Sequence, residues 1–89
     1  MTISAEELKQ EVKVLASEIG VSAKEIHVRK MKRKWASCSN KGRLTFSTEL
    51  LSQPGDFQRK AIVHELLHMR YPNHGKMFNL LLTSYSEKK

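Results

Sequence analysis

The sequence predicts a single α+β domain, on three observations. An amphipathic helical pattern opens the chain, short alternating apolar segments follow, and two further helical patterns end it. The 89 residues are 39% hydrophobic and 28% charged, a composition typical of a globular protein. Since no repeat, linker or low-complexity segment interrupts this order, we expect one domain over residues 1–89.

The first predicted helix covers residues 4–19. Ser4 is expected to cap it, with Glu7 three residues later as the partner in a capping box. Gly20 is expected to end the helix as its C′ residue. One apolar stripe at helical spacing forms the predicted buried face: Leu8, Val12, Leu15 and Ile19.

Residues 25–48 predict two or three short strands that include a hairpin. Asn40-Lys41-Gly42 is a turn signal, and Leu44, Phe46 and Thr48 alternate with polar neighbours after it. Trp35 is expected to anchor the core of this small sheet. Pro54-Gly55 then breaks the chain before the next helix.

Two more helices are predicted in the last third of the chain. Asp56 is expected to cap the first, which should end near Arg70 because Pro72 disfavours helical geometry at Tyr71. One of its stripes contains Phe57, Ala61, His64 and His68. The last helix is predicted to bury Met77, Phe78, Leu81, Leu82 and Tyr85.

His64-Glu65-Leu66-Leu67-His68 is an H-E-x-x-H motif inside the second predicted helix. Histidines four apart lie on one face, about 6 Å apart along the axis, so both imidazoles can bind one Zn²⁺. Glu65 is then placed as the general base for a metal-activated water, and His74 is a candidate third ligand. Three protein ligands are typical of a catalytic zinc, so we expect one such ion. The alternative is that these are core histidines.

Three other residues are weaker candidates for roles in the metal site. Cys38 is a less favoured fourth ligand, because its small neighbours are typical of strand packing. Tyr71 and Tyr85 are candidates to stabilise the oxyanion, although a packing role is the simpler interpretation of both.

The net charge of +7 comes partly from a basic block, Arg29, Lys30, Lys32, Arg33 and Lys34. These residues either form a solvated surface or contact an anionic partner such as nucleic acid. No apolar run is long enough to span a membrane. The acidic start of the chain and its lone cysteine favour the cytoplasm.

Three blocks resemble the YgjP-like metallopeptidases, a zincin family similar to the SprT-like and WLM proteases. They are the basic block with Trp35-Ala36-Ser37-Cys38-Ser39, the hairpin from Lys41 to Phe46, and H-E-x-x-H followed by Asn73-His74-Gly75 and Phe78. The resemblance implies a minimal zincin-like domain with His64, His68 and His74 as ligands and Glu65 as catalytic acid/base. It also implies an edge strand that pairs with an extended peptide: Leu44, Thr45, Phe46, Ser47 and Thr48.

We therefore expect a zinc metallopeptidase that acts on peptide bonds in unfolded or extended segments. Three alternatives remain open: a DNA-associated protease of SprT-like type, a metal-dependent nucleotide phosphohydrolase, and a non-catalytic domain that zinc stabilises. The sequence leaves the oligomeric state open.

Overall fold

The computed structural model of the protein describes residues 3–39, 41–71 and 73–86. The predicted α+β class and order of elements are confirmed. In chain order the elements are α1 (Ala5–Ile19), β1 (Glu25–Arg29), β2 (Ala36–Cys38), β3 (Arg43–Ser47), a 3₁₀ helix (Thr48–Ser52), α2 (Gly55–His68) and α3 (Lys76–Ser86).

Helix α1 has the caps that its sequence predicts. The backbone N–H of Glu7 donates to the Ser4 hydroxyl, and that of Ser4 donates to the Glu7 carboxylate, both at 3.1 Å. Gly20 adopts a left-handed φ of 87° and donates its N–H to the Ala16 carbonyl at 2.9 Å. Only glycine takes this conformation without strain, so the helix ends here.

The sheet has the strand order β1-β3-β2. Strand β3 pairs in parallel with β1 and antiparallel with β2, so the predicted hairpin is confirmed. Gly42 supplies a φ of 88° in its turn, while Asn40 of the predicted turn lies outside the described residues.

The predicted substrate edge strand is wrong. Strand β3 is the central strand, so its backbone groups on both sides already face other strands. Leu44, Phe46 and Ser47 are almost completely buried, and Thr48 begins the 3₁₀ helix. None of the stretch from Leu44 to Thr48 is an open edge, and the strand with an unpaired side next to α2 is β2.

Helix α2 is central to the packing and contacts α1, β2 and α3. Its side chains Ile62, Val63, Leu66 and Leu67 are fully buried, so the histidines of this helix are not needed to fill the core. The rest of the core comes from the other elements: Leu8, Val12, Leu15, Ala16, Ile19, Leu44, Phe46, Leu50 and Phe78. None of the described helices is long and apolar enough to cross a membrane.

The ends of α2 and the burial of α3 differ in part from the prediction. Pro54 occupies the N-cap position, and Asp56 lies inside the first turn, where its charge suits the helix dipole. Helix α2 ends at His68, two residues before the predicted end, and Pro72 lies outside the described residues. In α3, Phe78 is buried as expected, but Met77 is 55% exposed.

We expect Leu15→Ala to lower the free energy of unfolding by about 2–5 kcal/mol, because a fully buried leucine leaves a cavity when truncated. Val14→Ala, on the adjacent and 56% exposed position of the same helix, is the matched control and should change it by less than about 0.5 kcal/mol. Urea unfolding followed by circular dichroism measures both. Equal effects of the two variants would contradict the assigned buried face of α1.

Candidate metal centre

Three of the four histidines come together at the C-terminal half of α2. His64 and His68 lie one turn apart on this helix, and His74 comes from the segment between α2 and α3. One ring nitrogen from each lies within 4.8 Å of the other two. Tetrahedral ligands at the Zn–N distance of 2.0–2.1 Å would be roughly 3.3 Å apart, so small side-chain rotations bring this set to zinc-binding geometry.

The Phe78 ring packs against all three imidazoles. Its centroid lies 5.5, 4.9 and 4.7 Å from those of His64, His68 and His74. Phe78 is 2% exposed and anchors α3 in the core, so it restricts the ring orientations. The Nε2 atoms of His68 and His74 are 2.9 Å apart, and a shared proton or a metal ion satisfies two ring nitrogens this close.

Glu65 lies beside His64 on α2 and lines a cleft next to the histidines. Its Oε2 is 3.0 Å from Nδ1 of His64, and its side chain is 12% exposed. A proton on this Nδ1 would be donated to the carboxylate, leaving Nε2 of His64 as a metal ligand. Glu65 can therefore orient one ligand and also lines the cleft beside the cluster.

A cleft of about 630 Å³ separates α2 from β2 and the turn after it. Glu65 and His68 line its helix side, and the whole of β2, Ala36–Cys38, lines the other. Strand β2 ends the sheet and keeps one unpaired side. The sequence predicts a strand here but not that it is the edge beside the site, because its three small residues carry no alternation and each is only half-buried.

Cys38 lies in this cleft but is not one of the clustered metal-ligating residues. Burial raises the pKa of its thiol, and the negative charge of the Glu65 carboxylate raises it further. The second cause links the thiol electrostatically to the residue predicted to be catalytic.

We expect Cys38 in the metal-free protein to react slowly with iodoacetamide at pH 8, because only the thiolate attacks. Glu65→Gln should speed the reaction several-fold, since it removes the negative charge that disfavours the thiolate. Mass spectrometry of timed samples measures the rates, with Glu49→Gln as the control. An unchanged rate in Glu65→Gln would show that the carboxylate does not act on Cys38.

The two candidate oxyanion residues do not line the cavities beside Glu65. The Tyr85 hydroxyl donates to the Glu18 carbonyl of α1 at 3.4 Å. Tyr71 is half-buried against the core, with the Arg70 guanidinium carbon 5.8 Å from its ring centroid. Both side chains pack against the core.

The basic block begins at the end of β1 and occupies the loop that leads to β2. All five of its side chains are exposed, and none forms an ion pair with another described residue: Arg29, Lys30, Lys32, Arg33 and Lys34. Lys34 also lines the cleft beside Glu65. The structure thus places one end of the block at the candidate site.

Comparison with known proteins agrees with this geometry. The family described as "YgjP-like, metallopeptidase domain" matches residues 3–88. No curated protein matches the chain. The solved metallopeptidase zymogen jannalysin of Methanocaldococcus jannaschii is similar at 26% identity and a TM-score of 0.80, over 88% of this chain and 80% of that one.

The solved metallopeptidase zymogen abylysin of Pyrococcus abyssi is similar in fold, at 19% identity and a TM-score of 0.74, over 85% of this chain and 76% of that one. The family match covers nearly the whole chain, and it includes the histidine cluster, Glu65 and the strand beside them. The chain therefore belongs to the YgjP-like metallopeptidase family.

Proposed function

We propose that this chain is a zinc peptidase that hydrolyses peptide bonds in extended or unfolded segments. The observation that carries the proposal is the convergence of three imidazole nitrogens within 4.8 Å beside a carboxylate that faces an open cleft. A neutral all-imidazole ligand set suits Zn²⁺, and three protein ligands leave a position for water or substrate.

His64, His68 and His74 would hold the zinc, which when bound supplies Lewis acidity to the scissile carbonyl and to the attacking water. Glu65 accepts a proton from that water as its oxygen forms a bond to the carbonyl carbon. The same carboxylate then gives the proton to the leaving nitrogen as the C–N bond breaks. One water is consumed, and a new carboxylate and a new amine are released.

The substrate would bind along β2 rather than along β3. Strand β2 lines the cleft opposite Glu65 and has an unpaired side, so a peptide can add to it by backbone hydrogen bonds. Only an extended segment exposes its backbone in this way. Strand addition therefore favours unfolded proteins, loops and chain ends as substrates.

Hydrolysis of a reduced and alkylated protein by the purified chain tests this proposal. We expect cleavage with one equivalent of zinc, loss of cleavage after treatment with 1,10-phenanthroline, and recovery when zinc is restored. Phosphate release from nucleotides that depends on Glu65 would instead support a phosphohydrolase. Zinc-dependent folding with no hydrolysis of either substrate would support the non-catalytic alternative.

As a second candidate function, we propose that the basic block binds nucleic acid. Its exposed cations, which form no ion pair with another described residue, support this proposal. Binding to phosphates releases counterions, so affinity should fall steeply as salt rises. Replacing Lys32, Arg33 and Lys34 together by Gln should reduce the salt slope by about one for each phosphate that these side chains bind. The control replaces three other exposed lysines, Lys13, Lys24 and Lys76, and no binding at low salt would refute the proposal.

A further inference from the structure

A second cavity, of about 330 Å³, opens beside Glu65 towards the N-terminal half of α2. His64 and Glu65 form one wall, so the cavity is continuous with the candidate catalytic centre. Its remaining lining is mostly apolar, with two lysines at the rim: Lys34, Trp35, Ala36, Phe57, Lys60 and Ala61.

Two aromatic rings form the main apolar surface of this cavity. The Trp35 and Phe57 rings meet edge to face, with centroids 5.1 Å apart, yet they remain 39% and 38% exposed. Adjacent aromatic surface left open to water beside a reactive carboxylate is typical of a binding site. Trp35, predicted to anchor the core, is thus a wall of the site.

The backbone that carries both rings is anchored before any ligand binds. The Trp35 carbonyl accepts from the Ser47 N–H at 2.8 Å, which extends the β2–β3 ladder to this residue. Phe57 projects from the first turns of α2, whose next residue, Gln58, is buried and donates to the Leu50 and Leu51 carbonyls at 3.0 Å. A preformed wall costs little ordering entropy when a ligand binds.

We propose that this cavity is a specificity subsite for one large apolar side chain, preferably aromatic, next to the scissile bond. This inference rests on the proposed function. Ala36 of β2 lines both cavities. A peptide that pairs with β2 would therefore lie across the place where the two cavities meet. Alternate side chains of such a strand point to the same face, which here is the face towards α2.

The size and charge of the cavity determine which substrate side chain it can bind. A closed cavity of about 150 Å³ is known to hold benzene in another protein, so about 330 Å³ open on one side has room for an aromatic side chain. Small Ala36 and Ala61 leave this depth free. The exposed Lys34 and Lys60 at the rim disfavour Lys or Arg in the subsite.

Trp35 is the single tryptophan of the chain, so its emission reports binding in the cavity without any turnover. We would titrate zinc-loaded Glu65→Gln protein with capped heptaglycine peptides whose central residue is Phe, Leu, Ala or Lys. The Phe and Leu peptides should shift Trp35 emission and bind at least about tenfold tighter than the Ala peptide, with the Lys peptide weakest. Equal affinities, or no change in emission at saturation, would overturn the proposal.

Two variants localise the effect. Phe57→Ala should remove most of the preference for Phe over Ala, while Leu80→Ala, which truncates a more exposed apolar residue of α3 outside the cavity lining, should not. Ala61→Met fills the cavity without removing a wall and should weaken Phe-peptide binding about tenfold, with Ala5→Met as its control. A preference for Phe that survives both Phe57→Ala and Ala61→Met would place the apolar subsite elsewhere.

The subsite and the peptidase activity can fail separately. Selective binding that shifts Trp35 emission, with no hydrolysis by the native protein, would support the proposed subsite and refute the proposed peptidase activity. Hydrolysis of all four peptides at equal rates would support the peptidase and refute the subsite.

Discussion

Glu65→Gln is expected to lower the rate of peptide hydrolysis by about 10²–10⁴-fold, the usual contribution of a general acid–base group. The amide has the shape of the carboxylate but cannot take the proton from water. Its oxygen can still accept a hydrogen bond from Nδ1 of His64, which lies 3.0 Å from Oε2 in the native protein. Zinc content and thermal stability should therefore be unchanged.

Initial rates on a quenched fluorescent peptide, with zinc measured on the same samples, test this expectation. Glu6→Gln, an exposed glutamate of α1, is the matched control and should retain full activity. A Glu65→Gln protein that keeps both its zinc and most of its activity would rule out Glu65 as the catalytic acid/base.

His74→Ala is expected to weaken zinc binding by at least about 100-fold, because loss of an outer-shell partner alone costs about 10–100-fold. His74 supplies the ring nitrogen that lies 2.9 Å from Nε2 of His68. Its loss should also remove most of the stabilisation by zinc, which is about 2.7 kcal/mol at a free zinc concentration of 100 times Kd.

Competition with a chromophoric chelator gives the zinc affinity, and thermal unfolding with and without zinc gives the stabilisation. His27→Ala is the matched control, since His27 lies on β1, where its Nε2 is 3.1 Å from the Glu25 carboxylate. Full zinc stoichiometry and unchanged affinity in His74→Ala would mean that the third ligand is another residue.

The parts of the fold that depend on local chemistry could be predicted from the sequence. The Ser4–Glu7 capping box and the Gly20 C-cap confirm α1 at both ends, because capping depends on residues a few positions apart. The approach of His64 and His68 follows from helical pitch alone. His74 could be added because Asn73-His74-Gly75 resembles a family motif.

The structure differs from the sequence predictions where strands and distant segments of the chain meet. Nothing local in Leu44–Thr48 indicates whether one or two strands flank it, and the parallel pairing of β1 with β3 made it central. Strand β2 was missed as the substrate edge because small residues give no periodic signal. Trp35 is predicted to anchor the core of the sheet, but its ring packs on the partly exposed Phe57 of α2, a contact that sequence spacing does not reveal.

The central claim is that the histidine cluster and Glu65 deliver a water molecule to a peptide carbonyl. Cleavage of an unfolded protein by the zinc-loaded chain in ¹⁸O-enriched water, read by mass spectrometry, tests it most directly. We predict new carboxyl termini that each carry one solvent oxygen, formed by the native chain and almost absent with Glu65→Gln. Intact substrate after incubation with folded chain that holds one zinc, or new termini without solvent oxygen, would contradict the claim.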